Sequence, residues 1–388
     1  MSQPLSPRQP QLRLLCLAAG PIESPSTRYR LYQYFPLLRD HGIECHLSSF
    51  LDSEHYALFY RPGRHLAKIP GILASSLRRL QDLLESRHYD AVLVSREAVP
   101  FGPPWIEELI PLFSRRPLLF DFDDATWVPY RSPTYGALGQ LLKFPGKTAR
   151  LIQASQHVFA GNATLAHFAR QFHSRVTLLP TTVDPDRFAP PPRPLTPPFS
   201  VGWIGSHSTS QYLRLITEGV ISASRELRLK IEIIGAREEI REFARPGPKS
   251  CEVVYRNWAL EKEIEEFQQL DVGVYPLVED EWTKGKCGFK AIQYMAAGVP
   301  CIASPVGTNL EVIEHGRNGL FAQSPKEWEE GIVRLLTDRP FRDRVIAEGY
   351  RTVREGYSLA VHGPRLAEAI RGVCGQWKRV GRRGARCV

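Results

Sequence analysis

The chain has 388 residues, of which 43% are hydrophobic and 23% charged, and it carries a formal net charge of +9. That length suits two α/β domains of roughly 150–200 residues each, and no apolar run approaches the ~18 residues of a membrane span. Its seven cysteines are scattered, odd in number and free of any C-x-x-C pair. That argues against a zinc site or a disulfide framework and for a reduced, cytoplasmic setting.

Residues 1–10 are rich in Pro, Ser and Gln and read as disordered. The first apolar stretch, Leu12 to Ala19, is short and contains Arg13, so it reads as a buried strand and not a signal peptide. Strands are expected at Leu14–Ala18, Ile43–Phe50, Ala91–Ser95, Leu118–Asp123, His157–Ala160 and Val176–Leu179, with helical patterns between them. Such alternation predicts a parallel sheet with helices on both faces. The ten residues 189–198 hold six prolines, which admit neither a helix nor a central strand.

A second alternating series follows, with strands expected at Ser200–Ile204, Lys230–Ile234, Cys251–Tyr255, Val272–Pro276, Pro300–Ala303 and Leu320–Ala322. Ser324-Pro325-Lys326-Glu327 is a capping box with proline at the first helical position, opening a helix through Leu336. Two more helices are expected near Pro340–Arg354 and Leu359–Val373. The resulting division is a first Rossmann-like domain at 11–185, a linker at 186–199, a second Rossmann-like domain at 200–357, a closing helix at 358–375 and a basic tail at 376–388.

The positive charge is uneven. Five Lys or Arg and no acid lie between His55 and Gln81, and six with no acid lie between Arg371 and Val388. No zinc-finger, RNP or basic-zipper pattern accompanies them, so nucleic acid is not an expected partner. The first patch leads into an apolar stripe, Ile72, Leu73, Leu77, Leu80, Leu83 and Leu84, at the spacing of one helix face. That stripe reads either as an ordinary helix packed on a sheet or as a cationic face for peripheral contact with the inner side of an anionic membrane.

The most informative run is Thr283 to Gly307, TKGKCGFKAIQYMAAGVPCIASPVG. A glycine-flanked lysine loop opens a helix, the helix stops at Gly298-Val299-Pro300, and a short strand leads to a second glycine turn. Lys286 and Lys290 lie at the first turn, where the helix dipole disfavours cations. With no acid between Thr283 and Gly298, an anion such as a diphosphate is the expected counter-charge. Gly285 and Gly288 let backbone N–H groups approach such a ligand. Gly205 and Ser206, followed by Ser208-Thr209, form a glycine turn at a helix start of the kind a phosphate uses.

This run strongly resembles the donor segment of family 4 (group 1) retaining glycosyltransferases with the GT-B fold, and the resemblance extends along nearly the whole chain. It implies two Rossmann-like domains facing across a cleft and a C-terminal helix returning to the first. It further implies a nucleotide-sugar donor as substrate, held by Gly205, Ser206, Lys286, Lys290, Gln293 and the turn Gly307, Thr308, Asn309 and Glu311, and neither cofactor nor metal. The acceptor is expected to be a saccharide or lipid-linked saccharide of a surface glycan. In the first domain Arg28 and Arg30 are candidates for phosphate, because guanidinium binds phosphate bidentately. Arg96 with Glu97 forms a polar pair at the end of the third strand.

Where the family often has a histidine, the fourth strand ends in Asp121-Phe122-Asp123-Asp124. Asp123 is the candidate beside the reacting sugar or the acceptor hydroxyl, with Asp124 next to it. Asp121-Phe122-Asp123 also matches the D-x-D metal pattern of another transferase class. At the positions where the family carries two glutamates eight apart, this chain has Gly285 and Gln293. That absence motivates a rival reading as a non-catalytic nucleotide-sugar-binding or partner-supporting module. A sugar-nucleotide epimerase of GT-B fold is the rival within enzymes.

Overall fold

The computed structural model describes residues 12–59, 63, 65–129, 143, 144, 146–190, 194–236 and 251–384. Residues 1–10, expected to be disordered, lie outside the described residues, as do Arg61 and Arg64 of the first basic patch. The chain forms two compact units. One comprises the chain through Thr181 together with His362 onward, and the other runs from Thr182 to Val361.

The first unit is built on β1 (Leu12–Ala18), β2 (Ile43–Ser49), β3 (Ala91–Ser95), β4 (Leu118–Phe122), β5 (His157–Ala160) and β6 (Val176–Leu178). Their order is β2-β1-β3-β4-β5-β6 and every pairing is parallel. β3 and β4 are buried at every position, as strands covered on both faces must be. The connection reverses direction between β1 and β3. In an open parallel sheet the loops at the carboxyl ends diverge there and leave a crevice.

Two buried arginines hold this edge. Arg30 ends the helix Pro25–Arg30 and is 1% exposed. Its Nε donates to Asp121 Oδ2 at 3.1 Å and its Nη2 pairs with Asp121 Oδ1. Nη1 donates to the Leu179 carbonyl at 2.6 Å, tying the ends of β4 and β6 together. Arg79 donates to the carbonyls of Ala18 (2.6 Å), Ser48 (3.0 Å) and Ala98 (2.8 Å), and pairs with Asp82. It thus joins the ends of β1 and β2 to the loop after β3.

Arg79 belongs to the helix His65–Glu85, whose described cations do not form an outer face. Lys68 and Arg79 are buried, and Arg78 donates to the Phe50 carbonyl. Leu83 packs inward with them, while Leu73, Leu77, Leu80 and Leu84 are exposed. The apolar stripe therefore divides between two faces, because carbonyls at the strand ends draw the basic side chains inward.

The second unit is built on β7 (Phe199–Ile204), β8 (Leu229–Ile234), β9 (Cys251–Arg256), β10 (Val272–Tyr275), β11 (Cys301–Ala303) and β12 (Leu320–Phe321). The order is β12-β11-β10-β7-β8-β9, again all parallel, and the switch falls between β7 and β10. Its core gathers Trp203, Leu213, Ile233, Ile302, Trp328 and Leu335. The Ser324–Glu327 capping box forms and opens the helix Pro325–Thr337.

Two boundaries differ from composition. The division between units falls after Thr181, ahead of the proline-rich stretch. That stretch belongs to the second unit, where Gln268 Nε2 donates to the carbonyls of Phe188 (3.1 Å) and Ala189 (3.0 Å). The closing helix runs from Leu359 to Gly384, so much of the basic tail is helical. Trp377 Nε1 donating to the Arg115 carbonyl at 2.8 Å and Lys378 pairing with Asp90 at 2.8 Å hold it to the first unit. Among the described residues no helix is long and apolar enough to cross a membrane.

Arg30→Leu strands the buried Asp121 carboxylate and is expected to cost roughly 3–5 kcal/mol of stability, by the rule for breaking one side of a buried pair. Urea unfolding of the purified variant measures it, and a loss below about 1 kcal/mol would remove Arg30 as a structural tie.

Candidate functional sites

In the second unit the site is set by the helix Phe289–Ala296. Tyr294, fully buried, anchors it. The phenol donates to the Gly202 carbonyl at 3.2 Å and accepts from the Ile204 N–H at 3.3 Å, both on β7. Gly273 on β10 makes room, since a Cβ there would come within 2.4 Å of the Tyr294 ring. The helix is thereby fixed across the β7/β10 switch with its first turn at the carboxyl ends of the strands.

Lys290 emerges in that turn. Its ammonium lies 5.7 Å from the Trp203 ring centroid and 5.3 Å from that of Tyr275, one aromatic from each strand flanking the switch. The Lys290 stem also explains Gly205, where a Cβ would come within 2.8 Å of Lys290 Cε and 2.4 Å of the Trp203 ring. Burial pushes the Lys290 ammonium down from its ordinary 10.5 to about 7, repulsion from Lys286 adds to this, and no carboxylate offsets either. Lys286 itself lies 3.5 Å over the Trp282 ring.

The turn after β11 closes in from the other side. Gly307 has φ +53°, and a Cβ there would come within 3.0 Å of Lys284 Cα. Gly288, the left-handed residue that caps the Lys290 helix, packs against Thr308, Asn309 and Val312. Asn309 Nδ2 donates to the Ser304 carbonyl at 3.0 Å. Its Oδ1 and the Thr308 Oγ1 are buried without a hydrogen-bond partner among the described residues. Buried polar atoms are normally satisfied, so two orphans in the turn against the cap of the Lys290 helix mark a place for a polar ligand.

Other expected donor residues stand differently. The Gly205 N–H already donates to the Ile234 carbonyl at 3.0 Å, so Gly205 serves as a space for Lys290 and not as an amide donor. Ser206 is exposed, with its Oγ 2.8 Å from Ser208 Oγ. Gln293 is buried on the packed side of its helix. Glu311 is exposed on the short helix Asn309–Val312.

In the first unit a polar cluster sits at the β1/β3 switch. Ser26 follows β1, Arg96 follows β3, and Asp123 and Asp124 follow β4. Ser26 Oγ donates to Asp123 Oδ2 at 2.7 Å, and Arg96 Nη1 donates to Ser26 Oγ at 3.3 Å. Arg96 Nε lies 3.8 Å from Asp123 Oδ1, and its Nη2 lies 3.7 Å from Asp124 Oδ2. Arg96 adopts φ +62°, a left-handed conformation that is costly for a side-chain-bearing residue, and its N–H donates to the Asp121 carbonyl at 2.7 Å. Beside the cluster, Glu97 pairs with Lys147 at 3.3 Å.

Two expectations for this unit, Arg28 and Arg30 as phosphate ligands, are corrected. Arg30 is committed to Asp121 and the β6 end, and cannot also hold a phosphate. Arg28 donates to the carbonyls of Ile22 (2.6 Å) and Glu23 (3.1 Å), so it shapes the loop after β1. Both Asp121 oxygens face Arg30, so the D-x-D pattern does not supply two open carboxylates. Ser26, Trp203, Tyr275 and Tyr294 were not singled out from sequence. The two ring contacts had a signal, since Trp203 and Tyr275 lie at the carboxyl ends of expected strands, whereas Ser26 had none.

The model of the family described as glycosyl transferases group 1 matches residues 198–338. The matched stretch contains the whole Lys290 site. Over that stretch the chain is similar to the group 1 glycosyltransferases. A segment of 94 residues is 33% identical to an uncharacterised glycosyltransferase of Methanocaldococcus jannaschii, covering 24% of this chain. The match spans 23% of that relative, about a quarter of its length. Among solved structures, Anabaena HepE in complex with UDP-glucose superposes with a TM-score of 0.67 at 12% identity, covering 93% of this chain and 100% of that one. Sucrose-phosphate synthase from Thermosynechococcus elongatus gives 0.65 at 14%, covering 95% and 100%. At these identities the likeness establishes the fold, the two-domain α/β architecture of GT-B glycosyltransferases.

Because the Lys290 pKa is lowered on folding, the unfolded chain binds the extra proton between about pH 7 and its ordinary 10.5. Stability should then rise with pH across that window, and the cost should be fully present below it. Thermal melts of the wild type and Lys290→Met from pH 6 to 9.5 check the sign, and parallel profiles for the two proteins would refute it.

Proposed function

We propose that the protein is a retaining glycosyltransferase that moves a hexosyl group from a nucleotide-sugar to a saccharide or lipid-linked saccharide. The observation that carries the reading is an uncompensated Lys290 in the first turn of a helix whose cap, Gly288, lies against the turn that holds the unpartnered Thr308 Oγ1 and Asn309 Oδ1. A nucleoside diphosphate supplies the missing counter-charge. Hydroxyls of its sugar supply hydrogen bonds to the orphaned oxygens. HepE was solved with UDP-glucose and with UDP, which makes a uridine diphosphate sugar the first donor to test.

The chemistry follows from charge. As the glycosidic bond to phosphate breaks, the departing diphosphate gains negative charge, and a fixed cation at its oxygens is worth most then. Lys290 is held in place by Tyr294 and the two aromatic rings, so little reorganisation accompanies the step. The sugar gains oxocarbenium character as the bond breaks. In the first domain we assign the acceptor side to Asp123. Ser26 and Arg96 hold its carboxylate in one orientation, from which it accepts a hydrogen bond from the incoming hydroxyl. Cell-surface polysaccharide or glycolipid assembly is the setting this acceptor class implies.

Calorimetric titration of the purified protein with UDP, GDP, ADP and their sugar conjugates should show selective micromolar binding of one nucleotide. Lys290→Ala should weaken it by roughly 10–100-fold, the worth of one charge-assisted contact. Asp123→Asn should leave nucleotide affinity within a few-fold while transfer falls by roughly 10²–10⁴-fold, the usual range for a positioned acid or base. Binding that ignores Lys290→Ala would sink the donor assignment, and full transfer by Asp123→Asn would remove that carboxylate from the mechanism.

A further inference from the structure

The helix His65–Glu85 presents an apolar face that no described residue of its own domain covers. Leu66, Ile69, Leu73, Leu77, Leu80 and Leu84 are exposed, Leu66 by 82%. The other exposed residues between 66 and 85 are alanine and proline, apart from Gln81 and Glu85. The cations of this helix point the other way, as Lys68 and Arg79 do. The helix Trp105–Phe113 packs beside it and continues the surface with Trp105, Leu109, Leu112 and Phe113, Leu112 being 75% exposed.

The size and pattern of this face constrain its occupant. From these exposures the apolar side-chain area is on the order of 1,000 Å², larger than the few hundred Å² usual for a monomer's largest patch and close to the ~800 Å² each partner contributes to a stable interface. The exposed positions recur at intervals of three and four residues over five turns, the spacing at which two helices pack side by side. The face is nearly charge-free, so a copy of itself meets it without like-charge repulsion. Antiparallel packing about a twofold axis also places opposite ends of the helix dipoles together. An anionic bilayer would instead be met by Lys or Arg along the face itself, and the exposed residues between 66 and 85 include none.

We propose that this surface is a homodimer interface, in which the helix His65–Glu85 packs antiparallel on the same helix of a second copy and the helix Trp105–Phe113 flanks it.

Sedimentation equilibrium of the full chain at 1–50 μM is the test, with the double variant Leu73→Glu/Leu77→Glu as the control. Both positions are exposed, and circular dichroism with UDP titration verifies that the variant keeps its fold. The wild type should give twice the chain mass of 43.9 kDa, and the variant should dissociate at least 100-fold more readily. A wild type that stays monomeric throughout overturns the proposal, as does a variant that dimerises as well as the wild type. A monomeric wild type that floats with phosphatidylglycerol vesicles, when the variant does not, overturns it in favour of a lipid surface.

Discussion

Lys290 is a cation at the wrong end of a helix. The dipole disfavours it there, burial disfavours it further, and Lys286 adds repulsion. Proteins hold a charge in such a place only when the surroundings over-determine it. Here the Tyr294 phenol fixes the helix to β7, the Trp203 and Tyr275 rings line the ammonium, and Gly205 clears its stem. Each of these features also serves the core of the second domain. The lysine cannot withdraw without dismantling packing that the fold needs for other reasons.

The same logic places the polar cluster of the first domain. A parallel sheet covered on both faces sends every carboxyl end to one edge, and a reversal in strand order opens that edge at one point. In the first unit this point receives Ser26, Arg96, Asp123 and Asp124, and in the second it receives Lys290 with the Thr308 turn. The buried arginines beside the first cluster do different work. Arg30 and Arg79 satisfy strand-end carbonyls and carboxylates, so the edge stays closed except at the switch.

Much of this was legible in the chain before any coordinates. All twelve expected strands form, each within two residues at either end, because alternating apolar runs bounded by turn residues leave the backbone little choice. The Lys286–Lys290 turn was legible for the same reason, as a charge imbalance on a local element. What sequence could not rank was long-range use of charge. Arg28 and Arg30 looked alike as phosphate ligands, and Arg96 was legible only as half of a polar pair with Glu97. Only tertiary distances separate Arg30, spent on Asp121 and Leu179, from Arg96, which faces two carboxylates in a left-handed backbone. The helix His65–Glu85 failed on the same point. Its leucine spacing was right, but which face turns inward depends on carbonyls of Ala18, Ser48 and Ala98, which periodicity does not contain.

The two glutamate positions occupied by Gly285 and Gln293 fit this picture. A carboxylate near Lys290 would neutralise it in the empty site and lift its pKa back towards the ordinary range. Without one, burial and Lys286 hold the lysine's pKa down, and the site is short of negative charge until a ligand arrives. Gly285 lies in the turn between Lys284 and Lys286 and is buried. Gln293 is likewise buried on the packed side of its helix, where an ionised side chain would carry a desolvation cost. The absence of both acids is therefore consistent with a site whose charge balance is completed by the phosphates of its ligand.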